Sequence, residues 1–139
     1  MFKYLAIILV SITICSCGED DDPERVSDCD SSVIINPLRF QNESSDSFML
    51  MDAFIFDDCL EVTLSASGCD GESWSIELVD SGAIMESLPI QRDVKLLFKN
   101  DEDCRAVVTQ TVSFDLFPLR TDDSSIRINF ENLSILYEY

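Results

Sequence analysis

A period-two alternation of polar and apolar side chains, repeated in short segments, is the feature that most restricts how this chain can fold. The alternation runs through residues 60–65, 73–78, 93–99, 111–116 and 126–130. Successive side chains of a strand point to opposite faces of a sheet, so each segment is typical of a half-buried strand. No segment carries a helical period over three turns, and turn-forming residues separate the alternating segments. The sequence therefore predicts an all-β chain.

Seven or so short strands within about 100 residues favour an antiparallel β-sandwich of the immunoglobulin-like type, with a small closed β-barrel as the alternative.

Asp57 and Asp58 stand between two apolar segments and predict a tight hairpin turn. Residues 48–56 are apolar on both faces apart from Asp52, which favours a central strand covered on both sides over a patch exposed for a partner. Trp74 shares the parity of the apolar residues in its strand, so we expect it to be buried.

The amino-terminal residues have the layout of an export signal. Lys3 precedes the apolar run 4–14, which is followed by small and sulfur-containing residues. A transmembrane helix needs about 20 apolar residues, so this run is too short to span a membrane comfortably. A cation, a short apolar run and a small residue in this order are typical of a cleavable signal peptide.

The motif Ile14-Cys15-Ser16-Cys17 resembles the lipobox of bacterial lipoproteins, in which a small residue directly precedes the modified cysteine. The resemblance implies cleavage before Cys17, a diacylglyceryl thioether on its sulfur, and a further acyl chain such as palmitate on its amino group. Several acyl chains hold a protein to a membrane essentially permanently, whereas one holds it marginally. Plain secretion is the alternative.

The acidic residues 19–22 directly after Gly18 look like the export signal of Bacteroidetes-type surface lipoproteins. This second resemblance implies a lipid-anchored protein of the outer membrane, exposed at the cell surface. We therefore expect a signal peptide over 1–16, the lipidated Cys17 and an acidic tether over 17–32, and a single β domain over 33–139. The length of 139 residues suits one domain.

Charge and composition exclude several classes of function. Without residues 1–16 the chain keeps 8 basic residues against 27 acidic ones, a formal net charge of −19. Such a surface repels phosphates, which argues against nucleic-acid binding and against electrostatic membrane docking. Histidine is absent, which removes the usual general base and excludes hydrolases of the Ser-His-Asp or Cys-His type. We expect no enzyme activity and no cofactor; the acidity serves solubility or, alternatively, the capture of cations or of a basic partner.

Four cysteines follow Cys17, and an even number in an exported chain predicts two disulfides. No C-x-x-C spacing exists, so a zinc site is the weaker interpretation. Cys59 and Cys69 flank the strand 60–66, and its length separates them too far for a bridge. If the strands around Trp74 and Val94 are antiparallel, Cys104 returns to the end where Cys69 lies. We therefore predict Cys69–Cys104 and, by elimination, Cys29–Cys59.

Carboxylate clusters are the strongest candidates for chemistry, and they lie at 57–58, 70–72, 101–103 and 122–123. Calcium prefers such oxygen ligands, but none of the clusters has the spacing of a calcium loop, which favours solvated turns and no metal site. The basic residues Arg92, Lys95, Lys99 and Arg105 lie around one strand. Simple cross-strand ion pairs are the default interpretation, and a small cationic strip that docks a partner is the alternative.

The leading hypothesis is a non-enzymatic surface module, held to the membrane by its lipid anchor, that binds or supports another envelope protein or an extracellular ligand. One alternative is an inhibitor that presents a disulfide-held loop, residues 82–91, to an extracellular protease or lysozyme. Another is a small hydrolase that uses paired carboxylates. The stretches Asp58-Cys59-Leu60, 65–69 and 135–139 resemble small flavobacterial lipoproteins of unknown function, a resemblance that implies neither an activity nor a site.

Overall fold

A computed structural model describes residues 25–139. The predicted signal peptide, the predicted lipidation site Cys17 and the first part of the predicted tether lie outside the described residues. Nine strands and one short helix follow in chain order. They are β1 Ser31–Ser32, β2 Ile34–Ile35, α1 Pro37–Asn42, β3 Met49–Phe56, β4 Cys59–Gly68, β5 Ser75–Asp80, β6 Ile90–Lys99, β7 Ala106–Asp115, β8 Ser125–Phe130 and β9 Leu133–Glu138.

The strands form two sheets. One has the order β1-β7-β4-β3 and the other β2-β5-β6-β8-β9. The predicted all-β sandwich is confirmed, and neither sheet closes into a barrel. The predicted antiparallel pairing holds only in part. Both sheets are mixed, because β1 pairs with β7, β2 with β5 and β6 with β8 in parallel, while the remaining pairs are antiparallel. The parallel pairs join strands that are far apart in the chain, so short hairpin loops do not dictate them.

The core lies between the sheets and is built by the alternating positions. Leu60, Val62 and Leu64 of β4 have no exposed surface, and neither do the alternate residues of β8. The core also includes Leu78, Leu96, Phe98, Phe114 and Tyr137. Trp74 is half-buried against this core, with its ring centroid 5.0 Å from that of Phe98, in agreement with the predicted burial. Its indole nitrogen is buried without a hydrogen-bond partner among the described residues.

The Asp57-Asp58 turn is confirmed, since β3 and β4 pair from Phe56 and Cys59 outward. The prediction of a central strand over residues 48–56 is wrong. β3 is the edge of its sheet, and the outward-facing side chains of Met49, Phe54 and Phe56 are exposed. An apolar segment without alternation fits an edge strand with an exposed outer face as well as a covered central strand, so the residue pattern alone does not separate the two.

Both predicted disulfides are confirmed, Cys29–Cys59 with a Cα–Cα distance of 5.7 Å and Cys69–Cys104 with 4.8 Å. The assumption behind the second pair also holds, because β5 and β6 are antiparallel and Ser75 lies opposite Lys99. The sheet geometry thus brings the residues just before β5 and just after β6 together.

The register of the strands places the connections at two ends of the sandwich. The basal pole comprises residues 25–30, the turn 57–58, the loop 81–89, residues 116–124 and Tyr139. The distal pole comprises residues 69–74, 100–105 and 131–132. Between residues 25 and 139 there is no helix with the length and apolarity needed to cross a membrane.

Candidate functional site

The chain is fastened to the basal pole at the first described residue. The Arg25 guanidinium forms ion pairs with Asp58 and, at 2.6 Å, with Asp115, and it lies 4.3 Å from the centroid of the Phe117 ring. The Cys29–Cys59 disulfide adds a covalent bond four residues further along the chain. Arg25 and Cys29 belong to the segment that the sequence assigns to the tether, and in the structure they lie against the sandwich.

Asp58 is the centre of a charged cluster at this pole. Its carboxylate accepts hydrogen bonds from Arg25, Arg120 and the Tyr137 hydroxyl. Partial burial by itself raises the pKa of Asp58, but the hydrogen bonds from Tyr137 and Arg120 outweigh it and lower the pKa. Burial, and then the adjacent Asp58 carboxylate, raise the pKa of Tyr137 to about 12. The Asp58 carboxylate is therefore charged and already hydrogen-bonded to three donors, and the Tyr137 hydroxyl stays protonated. This arrangement suits a structural role better than that of a catalytic acid or base.

The loop 81–89 projects from the same pole and is braced by a buried ion pair at its base. Arg92 donates to Asp80 at 2.6 Å and 3.1 Å, and both side chains are buried. The Gly82 N–H donates to Asp80 at 2.7 Å, and the backbones of Met85 and Gln91 exchange two hydrogen bonds. The prediction that a disulfide holds this loop is wrong: Cys69–Cys104 lies at the other end of the β5–β6 hairpin, and Cys29–Cys59 joins the amino-terminal segment to the start of β4.

The loop exposes apolar side chains to solvent. Leu88 is 99% exposed, and Ile84 and Met85 are exposed as well. Phe117 is a further exposed aromatic residue of the basal pole, and Arg25 and Arg120 stack on its ring. The basal pole thus combines a neutralised charged cluster with protruding apolar groups.

The acidic clusters that the sequence singled out do not converge on a metal site. Within the described part of the chain, no group of three or more Asp, Glu or Cys side chains is arranged to hold a metal ion. Glu102 instead accepts hydrogen bonds from the N–H groups of Cys69 and Gly71 and from the Ser73 hydroxyl. Its carboxylate binds the loop that follows β4, so its role is to order the distal pole.

Glu102 should make stability depend on pH in the acid range. Desolvation raises its pKa, but the hydrogen bonds from Cys69 N–H, the Ser73 hydroxyl and Gly71 N–H outweigh this and lower the pKa to about 2. A lowered pKa stabilises the folded state above the unfolded value near 4.5, and this contribution disappears as the pH falls towards 2. We expect Glu102→Gln to lower the melting temperature at pH 7 and to have little effect near pH 2.

Thermal melts of Glu102→Gln and of Glu72→Gln between pH 7 and pH 2 test this expectation. Glu72 lies in the same loop, and its carboxylate makes no hydrogen bond to any described residue. The difference between wild type and Glu102→Gln should shrink on acidification, whereas Glu72→Gln should follow the wild type throughout. A difference for Glu102→Gln that does not change with pH would contradict the assignment.

Three of the four basic residues in and around β6 make contacts within the domain. Lys95 and Lys99 donate to the carbonyl oxygens of Glu43 and Ser44, and Arg92 pairs with Asp80. Lys99, at the end of β6, and Arg105, beyond it, are exposed. The default interpretation, contacts within the domain, therefore describes Arg92, Lys95 and Lys99 better than a docking strip, although of the three only Arg92 forms an ion pair with a described residue.

The free edge of β3 is the feature that the sequence analysis placed wrongly, and it forms the second candidate site. Ala53 and Ile55 pack on the core, so Phe54 and Phe56 project from the outer face, and Met49 and Met51 are exposed beside them. Near the start of β3, a shallow cleft lies between the strand and the β8–β9 turn. The cleft is lined by Asp46, Ser47, Phe48, Leu50, Glu131, Asn132 and Leu133.

No protein-family model and no curated protein matches the chain. Among solved structures, it is similar to the crystal structure of a protein of unknown function, DUF1344, from Bacteroides vulgatus, with a TM-score of 0.53 and 20% sequence identity. The similarity covers 78% of this chain and 56% of that one, so the chain spans little more than half the length of that structure. At this identity the similarity shows a shared β fold alone.

Proposed function

We propose that this chain is a lipid-anchored, non-enzymatic binding module of the cell envelope. In this proposal Cys17 carries the lipid, the domain is displayed on the outer face of the outer membrane, and the β3 edge takes an extended, basic segment of a partner protein. The observation that carries the binding role is the row of exposed apolar side chains on the free edge of β3.

Edge strands that expose several large apolar side chains, as β3 does, are unusual in soluble proteins. Natural edges are commonly blunted by lysine, proline or bulges, because unpaired backbone groups invite pairing with another chain. β3 has a bulge near Met51 and one charged side chain, Asp52, but neither lysine nor proline, and Phe56 is 68% exposed. A large apolar patch at an edge supports binding by strand addition, in which backbone hydrogen bonds supply affinity and side-chain contacts supply selectivity.

Charge favours a basic partner. Glu61 lies directly opposite Phe54 in the register of β3 and β4, Asp52 lies on the strand itself, and Asp46 and Glu131 line the adjoining cleft. These acids surround the apolar side chains, so lysine or arginine in an extended segment would meet opposite charge on either side of its apolar residues. A second copy of this chain is less favoured, because two strongly acidic domains repel each other.

The anchor is supported by the residues around Cys17 and by the way the chain joins the domain. Ion pairs of Arg25 with Asp58 and Asp115, together with the Cys29–Cys59 disulfide, fasten the segment that follows the proposed anchor. Because these contacts hold residues 25–29 on the domain, the segment that leads to the proposed anchor leaves from the basal pole. The full chain and a Cys17→Ala variant, compared by membrane fractionation and mass spectrometry, test this part: acylation and membrane retention should be lost in the variant.

The two other hypotheses find less support. An inhibitor acting through the loop 82–91 would have to present a loop that lies at the pole nearest the proposed lipid anchor. A carboxylate-based hydrolase would need two carboxylates that face each other across a bound substrate, whereas Asp58 and Glu102 are each occupied by three donor groups within the domain.

Strand addition is tested by measuring the affinity of the full chain for synthetic peptides. We expect a peptide of alternating lysine and valine to bind more tightly than one of alternating glutamate and valine. Phe54→Lys should weaken binding of the basic peptide about tenfold, because it removes an apolar contact and adds a like charge. The control is Val107→Lys, which makes the same kind of change at an exposed apolar residue of β7. Equal affinity for both peptides, or equal losses in both variants, would refute the proposed site.

A further inference from the structure

We propose that the basal pole rests on the membrane, with the tip of the loop 81–89 seated in the lipid interface through Ile84, Met85 and Leu88. In this arrangement the lipid surface covers the apolar side chains of the loop tip. The inference rests on the lipid anchor of the proposed function and goes beyond it, because it assigns an orientation to the domain and a second membrane contact to the chain.

The length of chain between the anchor and the domain limits which surface can face the membrane. Eight residues lead from Cys17 to Arg25, and a fully extended chain of this length spans at most about 28 Å. β4 runs between the two poles with ten residues, which corresponds to about 33 Å. Because Arg25 is held at the basal pole by Asp58 and Asp115, this pole stays within about 28 Å of the anchor, whereas the distal pole can lie farther from it.

The apolar residues are placed at the tip of a loop whose shape is already set. The buried Asp80–Arg92 pair and the Gly82–Asp80 hydrogen bond hold its base. The Ser87 hydroxyl donates to the Pro89 carbonyl oxygen at 2.6 Å, and the Gln91 amide donates to Ser87 at 3.0 Å. Seating Leu88 in lipid therefore requires little further ordering of the loop, and it removes a fully exposed apolar side chain from water.

The charge of the loop favours neutral lipid. Residues 81–89 contain one acid, Glu86, and no basic residue, and Asp123 and Arg127 lie beside Leu88, so acids outnumber bases around the loop tip. Contact with the bilayer must then be apolar and shallow, in the manner of side chains that enter the boundary between headgroups and acyl chains. Electrostatic attraction to anionic headgroups plays no part in this mode of docking.

The orientation is tested with the lipidated full chain in phosphatidylcholine vesicles whose acyl chains carry bromine, which quenches tryptophan on contact. The variant Leu88→Trp places a probe at the loop tip, and the matched variant Val107→Trp places one at an exposed apolar position near the distal pole. Both retain the native Trp74, which lies at the distal pole. We expect brominated lipid to reduce the emission of Leu88→Trp about twofold more than that of Val107→Trp.

Three other outcomes would each overturn the proposed orientation, and they differ in what they say about the anchor. Equal quenching of the two variants, with both proteins floating with the vesicles, overturns the orientation and leaves the anchor intact. A blue-shifted but unquenched Leu88→Trp means that a second copy or another part of the protein covers the loop, which also overturns it. Protein that does not float with the vesicles refutes the anchor of the proposed function, and the orientation fails with it.

Discussion

Arg92→Met is expected to lower the free energy of unfolding by about 3–5 kcal/mol, which is a large part of the total stability of a domain of this size. Arg92 is the buried partner of Asp80, with contacts of 2.6 Å and 3.1 Å. Methionine fills much of the same volume but leaves the carboxylate buried with the Gly82 N–H as its remaining donor. Urea denaturation followed by circular dichroism measures the loss.

Two further variants separate the buried charge from other effects. Arg39→Met removes a guanidinium that pairs with Glu43 and Glu77 at the partly exposed surface of α1, where screening makes ion pairs weak, so it should change stability little. Asp80→Asn combined with Arg92→Met removes the unpaired charge and should recover part of the loss. If Arg92→Met and Arg39→Met lowered the free energy of unfolding equally, the buried ion pair would contribute no more to stability than the partly exposed pairs of Arg39, and the prediction would be wrong.

The strands and the disulfides could be predicted from the sequence because both depend on local rules. The alternation over residues 60–65 and 126–130 predicts which side chains face a core, and those side chains are fully buried. The pairing of Cys69 with Cys104 followed from the length of one strand and the direction of the next two. In each case the physical constraint acts over one or two neighbouring elements.

The order of the strands and the two candidate sites depend on contacts between distant residues, which no local pattern reports. β3 lies at an edge because only one of its two sides pairs with a described strand, β4, whose other side pairs with β7. The apolar pattern of residues 48–56 does not contain this strand order. Asp58 meets Tyr137, 79 residues later in the chain. The sequence contains one signal of the charged cluster around Asp58: Arg25 is the single basic residue between 18 and 32, among seven acids. A lone cation in an acidic segment indicates an ion pair but does not identify the partner.

Loss of the Cys69–Cys104 disulfide is expected to lower the free energy of unfolding by about 4 kcal/mol, the chain-entropy value for a closed loop with a sequence separation of 35. The Cys69→Ala/Cys104→Ala double variant should show this loss in urea denaturation, and it should leave β3 and the basal pole intact, because both lie at a distance from the bridge. The variant Cys29→Ala/Cys59→Ala removes a bridge of similar sequence separation, 30 residues, and Arg25 still pairs with Asp58 and Asp115 when that bridge is absent. These ion pairs are partly exposed and do not restrict the unfolded chain, so they cannot replace the disulfide, and we expect a similar loss of stability for both variants. A loss below about 1 kcal/mol in either double variant would mean that the unfolded chain is already compact around that cysteine pair.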